Sequence, residues 1–289
     1  MNTLHRREFL RAAAATVGGT VFLSHLPAEL LARATKERFP IGFQTWTVRD
    51  ELAKDFAGTL KLMAGQGYQL TEMCSPKGYV NAGFGPLLKY KTAELRTMIA
   101  DAGLRCPSCH FGFNEFADDA LEDRIAFAHE IGLSQMVCSS FGLPKTANLA
   151  DFLSGADKLN KAAEKIKAAG LQTGFHNHST EFATLDGQLI YEALLKQFDP
   201  SLVKMQFQTE VINLGYKAAT YFTRYPGRFL SAHLSDWTAD KKQVPIGQGV
   251  IDWKEFFAAA KTGGVKNIFV EMEPATFRDS AAYIHSLQV

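Results

Sequence analysis

A short histidine-rich run contains the residue types and spacing best suited to chemistry. Residues 171–182 read LQTGFHNHSTEF, an apolar lead-in followed by His176, His178 and Glu181. The apolar part predicts a buried strand, and alternation along it places both histidines on one side. Two imidazoles and a carboxylate this close together suit a divalent cation such as Zn, Mn or Fe. The alternative is one histidine in the core and the other on the surface.

Length and charge exclude several classes of function. The chain has 289 residues, of which 46% are hydrophobic and 21% charged, as is ordinary for a globular protein. With 31 basic and 30 acidic residues it has a net charge of +1. That balance provides no basic excess for nucleic acid and no field for an anionic membrane. The length fits two domains or one large α/β barrel.

The N-terminal segment is typical of an export signal. The run HRREFLR at 5–11 resembles the twin-arginine motif, an apolar stretch follows at 12–23, and Ala32-Arg33-Ala34 resembles a cleavage site. We therefore expect residues 1–34 to be a signal peptide for the twin-arginine export machinery and the mature protein to be periplasmic or secreted. An amphipathic helix or membrane anchor is the alternative. The apolar run is too short for stable membrane insertion.

The four cysteines do not suggest a redox or zinc site. Cys106 and Cys109 have the spacing of a redox pair, but they fall within a strand-like run rather than at a helix N-terminus. Alternation also places the two thiols on opposite faces of that strand. We interpret them, with Cys74 and Cys138, as core cysteines.

The rest of the chain alternates between apolar runs and amphipathic stretches. Strands are predicted at 40–46, 68–74, 104–111, 134–139, the histidine run, 202–208, 228–233 and 267–273. Helices are predicted at 51–65, 92–102, 118–131, 151–169, 187–198, 216–225, 252–261 and 280–287, with Thr92 and Asp252 as caps. Eight such alternations predict one (β/α)8 TIM barrel over residues 35–289. An open doubly wound sheet is the alternative, but no G-x-G-x-x-G follows the first strand.

Polar side chains collect where the predicted strands end. They are Glu72, His110, His176, His178, Gln208, Glu210, His233, Asp236, Glu271 and Glu273. The longest irregular stretches, 75–91 and 237–251, follow the second and seventh strands. In a barrel both features lie on the C-terminal face, where active sites form.

Five motifs resemble the xylose-isomerase-like barrel superfamily. They are HNHSTEF at 176–182, PGRF at 226–229, HLSD at 233–236, GQG with IDW at 247–253, and VEMEP at 270–274. The superfamily includes sugar-phosphate isomerases and epimerases, ketose 3-epimerases and AP endonucleases. The resemblance covers about residue 40 to the C-terminus and is strongest to an exported branch described as sugar-phosphate isomerases/epimerases.

The resemblance implies a divalent metal held after strands five to eight. The matching positions are His176, Gln208, His233 and one of Glu271 and Glu273, with Glu271 slightly favoured. In the epimerases the first two positions are an acid/base glutamate and an aspartate. Losing both carboxylates predicts weaker binding or a more nitrogen-preferring ion, so we expect Mn, Zn, Fe or Co.

The activity implied is that of a sugar isomerase or epimerase, or a related lyase. It would act on a keto-sugar or an oxidised glycoside by removing a proton next to a metal-bound carbonyl, through an enediolate. The expected catalytic residues are Glu181, Glu273 and His178, and the expected substrate-binding residues are Glu72, His110, Trp46 and Asp236. The lost carboxylates leave a non-catalytic sugar- or metal-binding barrel as the alternative.

An endonuclease is disfavoured, because export removes the DNA and no basic groove is evident. The substrate expected is a small carbohydrate without phosphate. The sequence is compatible with a homo-oligomer but does not determine the oligomeric state.

Overall fold

Eight parallel strands close into a barrel in a computed structural model that describes residues 39–287 and 289. The strands are β1 (Ile41–Gln44), β2 (Leu70–Cys74), β3 (Arg105–Phe111), β4 (Gln135–Cys138), β5 (Gln172–His176), β6 (Val203–Gln208), β7 (Phe229–Leu234) and β8 (Asn267–Val270). The predicted signal peptide at 1–34 lies outside the described residues.

The barrel closes between its first and last strands. Ile41 of β1 lies opposite Ile268 of β8, and on the other side of β1 Gln44 lies opposite Glu72 of β2. Every other neighbouring pair in the barrel is also parallel. The predicted TIM barrel is therefore confirmed, and the open sheet is excluded.

Nine helices within the described residues surround the barrel. They are α1 (Arg49–Lys54), α2 (Phe56–Gly65), α3 (Thr92–Asp101), α4 (Asp118–Ile131), α5 (Leu149–Ala168), α6 (Ile190–Gln197), α7 (Ala218–Arg224), α8 (Trp253–Gly263) and α9 (Phe277–Ser286). In this part of the chain, no helix combines the length and the apolar character needed to cross a membrane.

The helix ends show where local chemistry differs from the prediction. Asp252 caps α8 as expected, since its carboxylate accepts from the backbone N–H groups of Lys254 and Glu255. Thr92 is not a cap, because Lys91 has the extended conformation of the N-cap and Thr92 is already helical. The predicted helix 51–65 is two helices, since Asp55 leaves the helical conformation at φ −143° and caps α2 instead.

The eighth strand is shorter than predicted. Its last ladder bond runs from the backbone N–H of Glu271 to the carbonyl of Leu234, at 3.0 Å, and the chain then turns into a 3-10 segment at Pro274. Proline lacks the N–H group that a further strand residue would need. The predicted strand at 267–273 is therefore three residues too long, and Glu273 is exposed beyond the strand.

Glycines allow large side chains to meet where β1 and β5 line the barrel. A Cβ atom at Gly42 would overlap the ring of Phe269, which is fully buried, and would lie 3.0 Å from the carbonyl oxygen of Ile268. A Cβ atom at Gly174 would lie 2.9 Å from Leu230 and 3.0 Å from Val137. These close contacts seal part of the barrel with apolar groups.

We expect Gly42→Ala to lower the free energy of unfolding by about 1–3 kcal/mol, because the added methyl overpacks a closed interior. Gly65→Ala is the matched control, since Gly65 is exposed at the end of α2 and a Cβ atom there meets nothing within 4 Å. Urea denaturation of both variants measures the difference. Equal stability of the two variants would contradict this account of the barrel interior.

Candidate active site and metal centre

A buried carboxylate lies at the centre of the polar cluster inside the barrel. The side chain of Glu72 has no solvent exposure. Its Oε1 accepts from the Ser108 hydroxyl at 2.5 Å and from Gln206 Nε2 at 2.8 Å. Its Oε2 accepts from His233 Nε2 and, at 3.3 Å, from Gln44 Nε2. Four donors, one each on β1, β3, β6 and β7, thus stabilise one buried negative charge.

His233 lies between two carboxylates. Its Nε2 contacts Glu72, and its Nδ1 lies 3.0 Å from Oε2 of Glu271. Burial disfavours the charged ring, but Glu72 and Glu271 outweigh burial and raise the pKa of His233. Burial alone would raise the pKa of Glu72, but His110 and His233 lower it below its usual range. In this arrangement His233 is an imidazolium that donates from both nitrogens.

Gln206 links Glu72 to two further histidines. Its Nε2 donates to Glu72 and to the Ser231 hydroxyl, both at 2.8 Å. Its Oε1 lies 2.6 Å from His110 Nε2 and 2.9 Å from His176 Nδ1. No motif in the sequence marks Gln206, although its position two residues before Gln208 in β6 places both on the same face.

Three buried histidines form a cluster that can hold a metal ion. One potential ligand atom from each of His110, His176 and His233 lies within 4.8 Å of the others. The ring centroid of His176 is 4.5 Å from that of His233 and 4.9 Å from that of His110. Burial, together with the neighbouring His233, holds the pKa of His176 well below its usual range, so this ring is neutral. Neutral imidazoles are ligands that suit Zn and Fe.

The structure brings together the four residues that the family resemblance suggested as ligands. Gln208 Nε2 donates to Oε2 of Glu271 at 2.6 Å, the same oxygen that contacts His233 Nδ1. The His176 ring packs against His233, as described above. One carboxylate, one amide and two imidazoles fit a borderline divalent ion. Metal ligation itself stays a prediction.

Glu181 is a buried carboxyl group immediately after β5. Its side chain is 3% exposed, and its Oε2 accepts from the backbone N–H of His178 at 2.7 Å. Burial is the main cause that raises the pKa of Glu181 to about 7. His178 is exposed, and its ring centroid lies 4.7 Å from that of His176. A carboxyl that titrates near neutrality, directly after the strand that carries His176, suits acid–base catalysis.

Glu72 and His110, expected to bind substrate, lie in the interior of the barrel. Glu72 is paired in register with Gln44 and Ser108, two residues before the end of β2, and it is fully buried. His110 is 6% exposed and lies 3.3 Å from Glu72 through its Nε2. In this structure His110 is a member of the histidine cluster, and Glu72 contacts two of its rings.

Asp236 organises the loop that follows β7. Its carboxylate accepts from the backbone N–H groups of Gly247 at 2.9 Å and Gly249 at 3.1 Å, and from the indole N–H of Trp253 at 2.8 Å. Both carboxylate oxygens are used, since the other accepts from the backbone N–H of Trp237 at 3.0 Å. Asp236 is fully buried, so the structure gives it a role in holding this loop.

Two other expected site residues lie at the surface. Trp46 follows β1, is 36% exposed, stacks on Phe84 at 6.2 Å and lies under the guanidinium of Arg49 at 4.8 Å. Glu273 is exposed, and its backbone N–H donates to the side chain of Gln243 at 2.6 Å. The structure therefore does not place the Glu273 carboxylate in the polar cluster.

The chain belongs to the xylose isomerase-like TIM barrel family, whose sequence model matches residues 60–288. The match covers most of the barrel, including all the strands that carry the histidine cluster. No curated protein sequence is significantly similar to this chain.

Solved structures show the same fold. A sugar phosphate isomerase/epimerase from Parabacteroides distasonis ATCC 8503 is 26% identical over 86% of this chain and 94% of that chain, with a TM-score of 0.71. A D-allulose 3-epimerase from Methylomonas sp. is 15% identical over 87% and 97%, with a TM-score of 0.60. The IOLI protein with a binding zinc atom is 13% identical over 86% and 94%, with a TM-score of 0.60.

We expect Glu181→Gln to be more stable than the wild type at pH 8 and equally stable at pH 4. The pKa of Glu181 rises from 4.5 to about 7 on folding, so the fold favours the neutral form. The wild type therefore loses stability as the pH rises from 4.5 through 7, by up to about 3 kcal/mol, and the neutral amide does not. Urea denaturation across this pH range tests the effect. Glu122→Gln, on the exposed face of α4, is the matched control. A pH-independent difference would refute burial as the cause.

We expect Asp236→Ala to loosen residues 237–251 and to lower the free energy of unfolding by on the order of 2–3 kcal/mol. The change leaves the buried indole N–H of Trp253 and backbone N–H groups without an acceptor. Limited proteolysis should show new cleavage in this loop. Asp240→Ala, at an exposed position of the same loop, should change neither measurement appreciably. Unchanged proteolysis of the Asp236 variant would show that the loop is held by other contacts.

Proposed function

We propose that this protein is a metal-dependent isomerase or epimerase, or a related lyase, that acts on a keto-sugar or an oxidised glycoside. The observation that carries the proposal is the convergence of His176, Gln208, His233 and Glu271 at the C-terminal ends of four strands. Active sites of TIM barrels form at this face. The 26% identity to a sugar phosphate isomerase/epimerase over nearly its whole chain supports the same class of reaction.

The four converging residues would hold the ion, and Glu72 and Gln206 would support them from inside the barrel. A bound divalent cation acts as a Lewis acid that polarises a carbonyl and stabilises negative charge beside it. The zinc atom in the IOLI protein supports zinc as one candidate, with Mn, Fe and Co as the others. His176, Gln208 and His233 are buried, and limited access of water would strengthen the electrostatic effect of a bound ion on a sugar.

Glu181 is the residue we propose to move the proton. Its pKa of about 7 means that the carboxyl is ionised in part of the population at neutral pH and can both accept and return a proton. The backbone N–H of His178 holds one oxygen in place at 2.7 Å. The exposed His178 ring, beside His176, is placed to contact a sugar hydroxyl. Glu181 would thus replace the acid–base glutamate that the family resemblance places where this chain has His176.

The charges around the cluster favour a substrate without phosphate. Glu271 and Glu210 lie together at the rim, and burial together with Glu271 raises the pKa of Glu210. A phosphate group would be repelled by these carboxylates. We propose instead a neutral sugar that contacts the exposed part of Trp46. The proposed export of the mature protein, which rests on residues 5–11 and 32–34, agrees with such a substrate.

We expect the purified wild type to contain near-stoichiometric Mn, Zn, Fe or Co, and Glu271→Gln to lose most of it. The substitution removes the one carboxylate that contacts both His233 and Gln208. A His176→Ala/His233→Ala double variant should retain none. Elemental mass spectrometry measures the metal content. Glu273→Gln is the matched control, because Glu273 is exposed beyond β8. A wild type that stays metal-free after reloading would refute the metal-dependent mechanism.

Activity is tested by proton exchange. Metal-loaded protein is incubated in D₂O with a panel of ketohexoses and 3-keto-glycosides, and deuterium incorporation is followed by NMR. Incorporation next to the carbonyl that is lost in Glu181→Gln supports the proposal. Binding without incorporation across the panel would instead favour the non-catalytic sugar- or metal-binding barrel.

A further inference from the structure

We propose that Gln206 sets the tautomer of His176, and thereby selects the ring nitrogen that this histidine presents to a metal ion. Gln206 is then a positioning residue for the metal centre. The part of this inference that concerns metal binding rests on the proposed function. The tautomer itself is a property of the chain alone.

The orientation of the Gln206 amide is fixed by Glu72. An ionised carboxylate accepts hydrogen bonds and donates none, so the side of the amide that lies 2.8 Å from Glu72 Oε1 must be the NH₂ group. The second hydrogen of the same group points to the Ser231 hydroxyl, also at 2.8 Å. Both donors of Gln206 are therefore used on one side, and its carbonyl oxygen faces the histidines.

The carbonyl oxygen of Gln206 in turn fixes two rings. It lies 2.6 Å from His110 Nε2 and 2.9 Å from His176 Nδ1, and an oxygen acceptor requires a hydrogen on each nitrogen. A neutral imidazole carries one hydrogen, so His176 is protonated at Nδ1 and has its lone pair on Nε2. His110 is protonated at Nε2, the atom that faces Gln206 and Glu72.

This pattern chooses between two possible sets of ligands that share His176 and His233. His110 uses Nε2 as a donor, and His233 uses its own Nε2 toward Glu72. The nitrogens left for an ion are Nε2 of His176 and Nδ1 of His233, which contacts Glu271 and would release its proton on binding the ion. The network thus favours the set with Glu271 and Gln208 over a site made of the three histidines, and His110 becomes a supporting residue.

The test measures tautomers in the metal-free protein at neutral pH by long-range ¹H–¹⁵N NMR of ¹⁵N-histidine-labelled samples. The chain has eight histidines, and a His176→Gln variant assigns the relevant signals. We expect His176 to be protonated at Nδ1 in the wild type and to lose this preference in Gln206→Met, which keeps the shape but has no donor or oxygen acceptor. Thr71→Val is the control, since Thr71 in β2 is fully buried and its hydroxyl has no hydrogen-bond partner.

A Co(II) titration of the same proteins completes the test. We expect Gln206→Met to bind Co(II) about 10–100-fold more weakly than the wild type, as is usual when a supporting hydrogen bond to a ligand is lost, and Thr71→Val to be unchanged. An Nε2-protonated His176 in the wild type would overturn the inference whether or not the variant folds. So would an unchanged tautomer or an unchanged Co(II) affinity in Gln206→Met. Failure of the wild type to bind Co(II), with the tautomers as expected, would overturn the proposed function and the metal-positioning role, while the tautomer assignment would stand.

Discussion

The structure of this site depends on one buried negative charge. A carboxylate with no solvent exposure is costly unless several donors surround it, and Glu72 receives hydrogen bonds from Gln44, Ser108, Gln206 and His233. Those donors come from four different strands. The charge therefore determines what the strands around it must carry, and it holds their side chains in a single arrangement.

Closure of the barrel brings these donors close enough to stabilise the buried charge. A Glu on β2 can reach a Gln on β6 and a His on β7 only because the sheet curves through a full turn. The apolar contacts at Gly42 and Gly174 exclude water from part of the interior, and water exclusion strengthens each of the ionic hydrogen bonds. Asp236 is a second buried carboxylate, in the loop after β7. Backbone N–H groups stabilise its charge by donating hydrogen bonds to it.

The sequence predicts the architecture well because strand and helix periodicity are local signals. Six strands predicted with explicit bounds end within two residues of the observed strands, whereas the eighth ends three residues earlier than predicted, at Val270. How deeply a side chain lies inside the barrel is not a local signal, because it depends on the neighbouring strands. Glu72 reads as a strand-end residue, yet its neighbours Gln44 and Ser108 place it in the interior. Gln206 carries no motif, and its importance follows only from partners 25 to 134 residues away.

The interior network also explains how a site can lose carboxylates at its rim. Where the family resemblance suggests a glutamate and an aspartate, this chain has His176 and Gln208, so Glu271 is the remaining rim carboxylate that contacts His233. Glu72 contributes its negative charge through the far side of the His233 ring. In the proposed metal centre, this carboxylate would raise the basicity of His233 as a ligand and partly offset the two missing negative charges. The two substitutions and the buried glutamate are therefore consistent parts of one electrostatic arrangement, in which negative charge lies beneath the histidines instead of beside them.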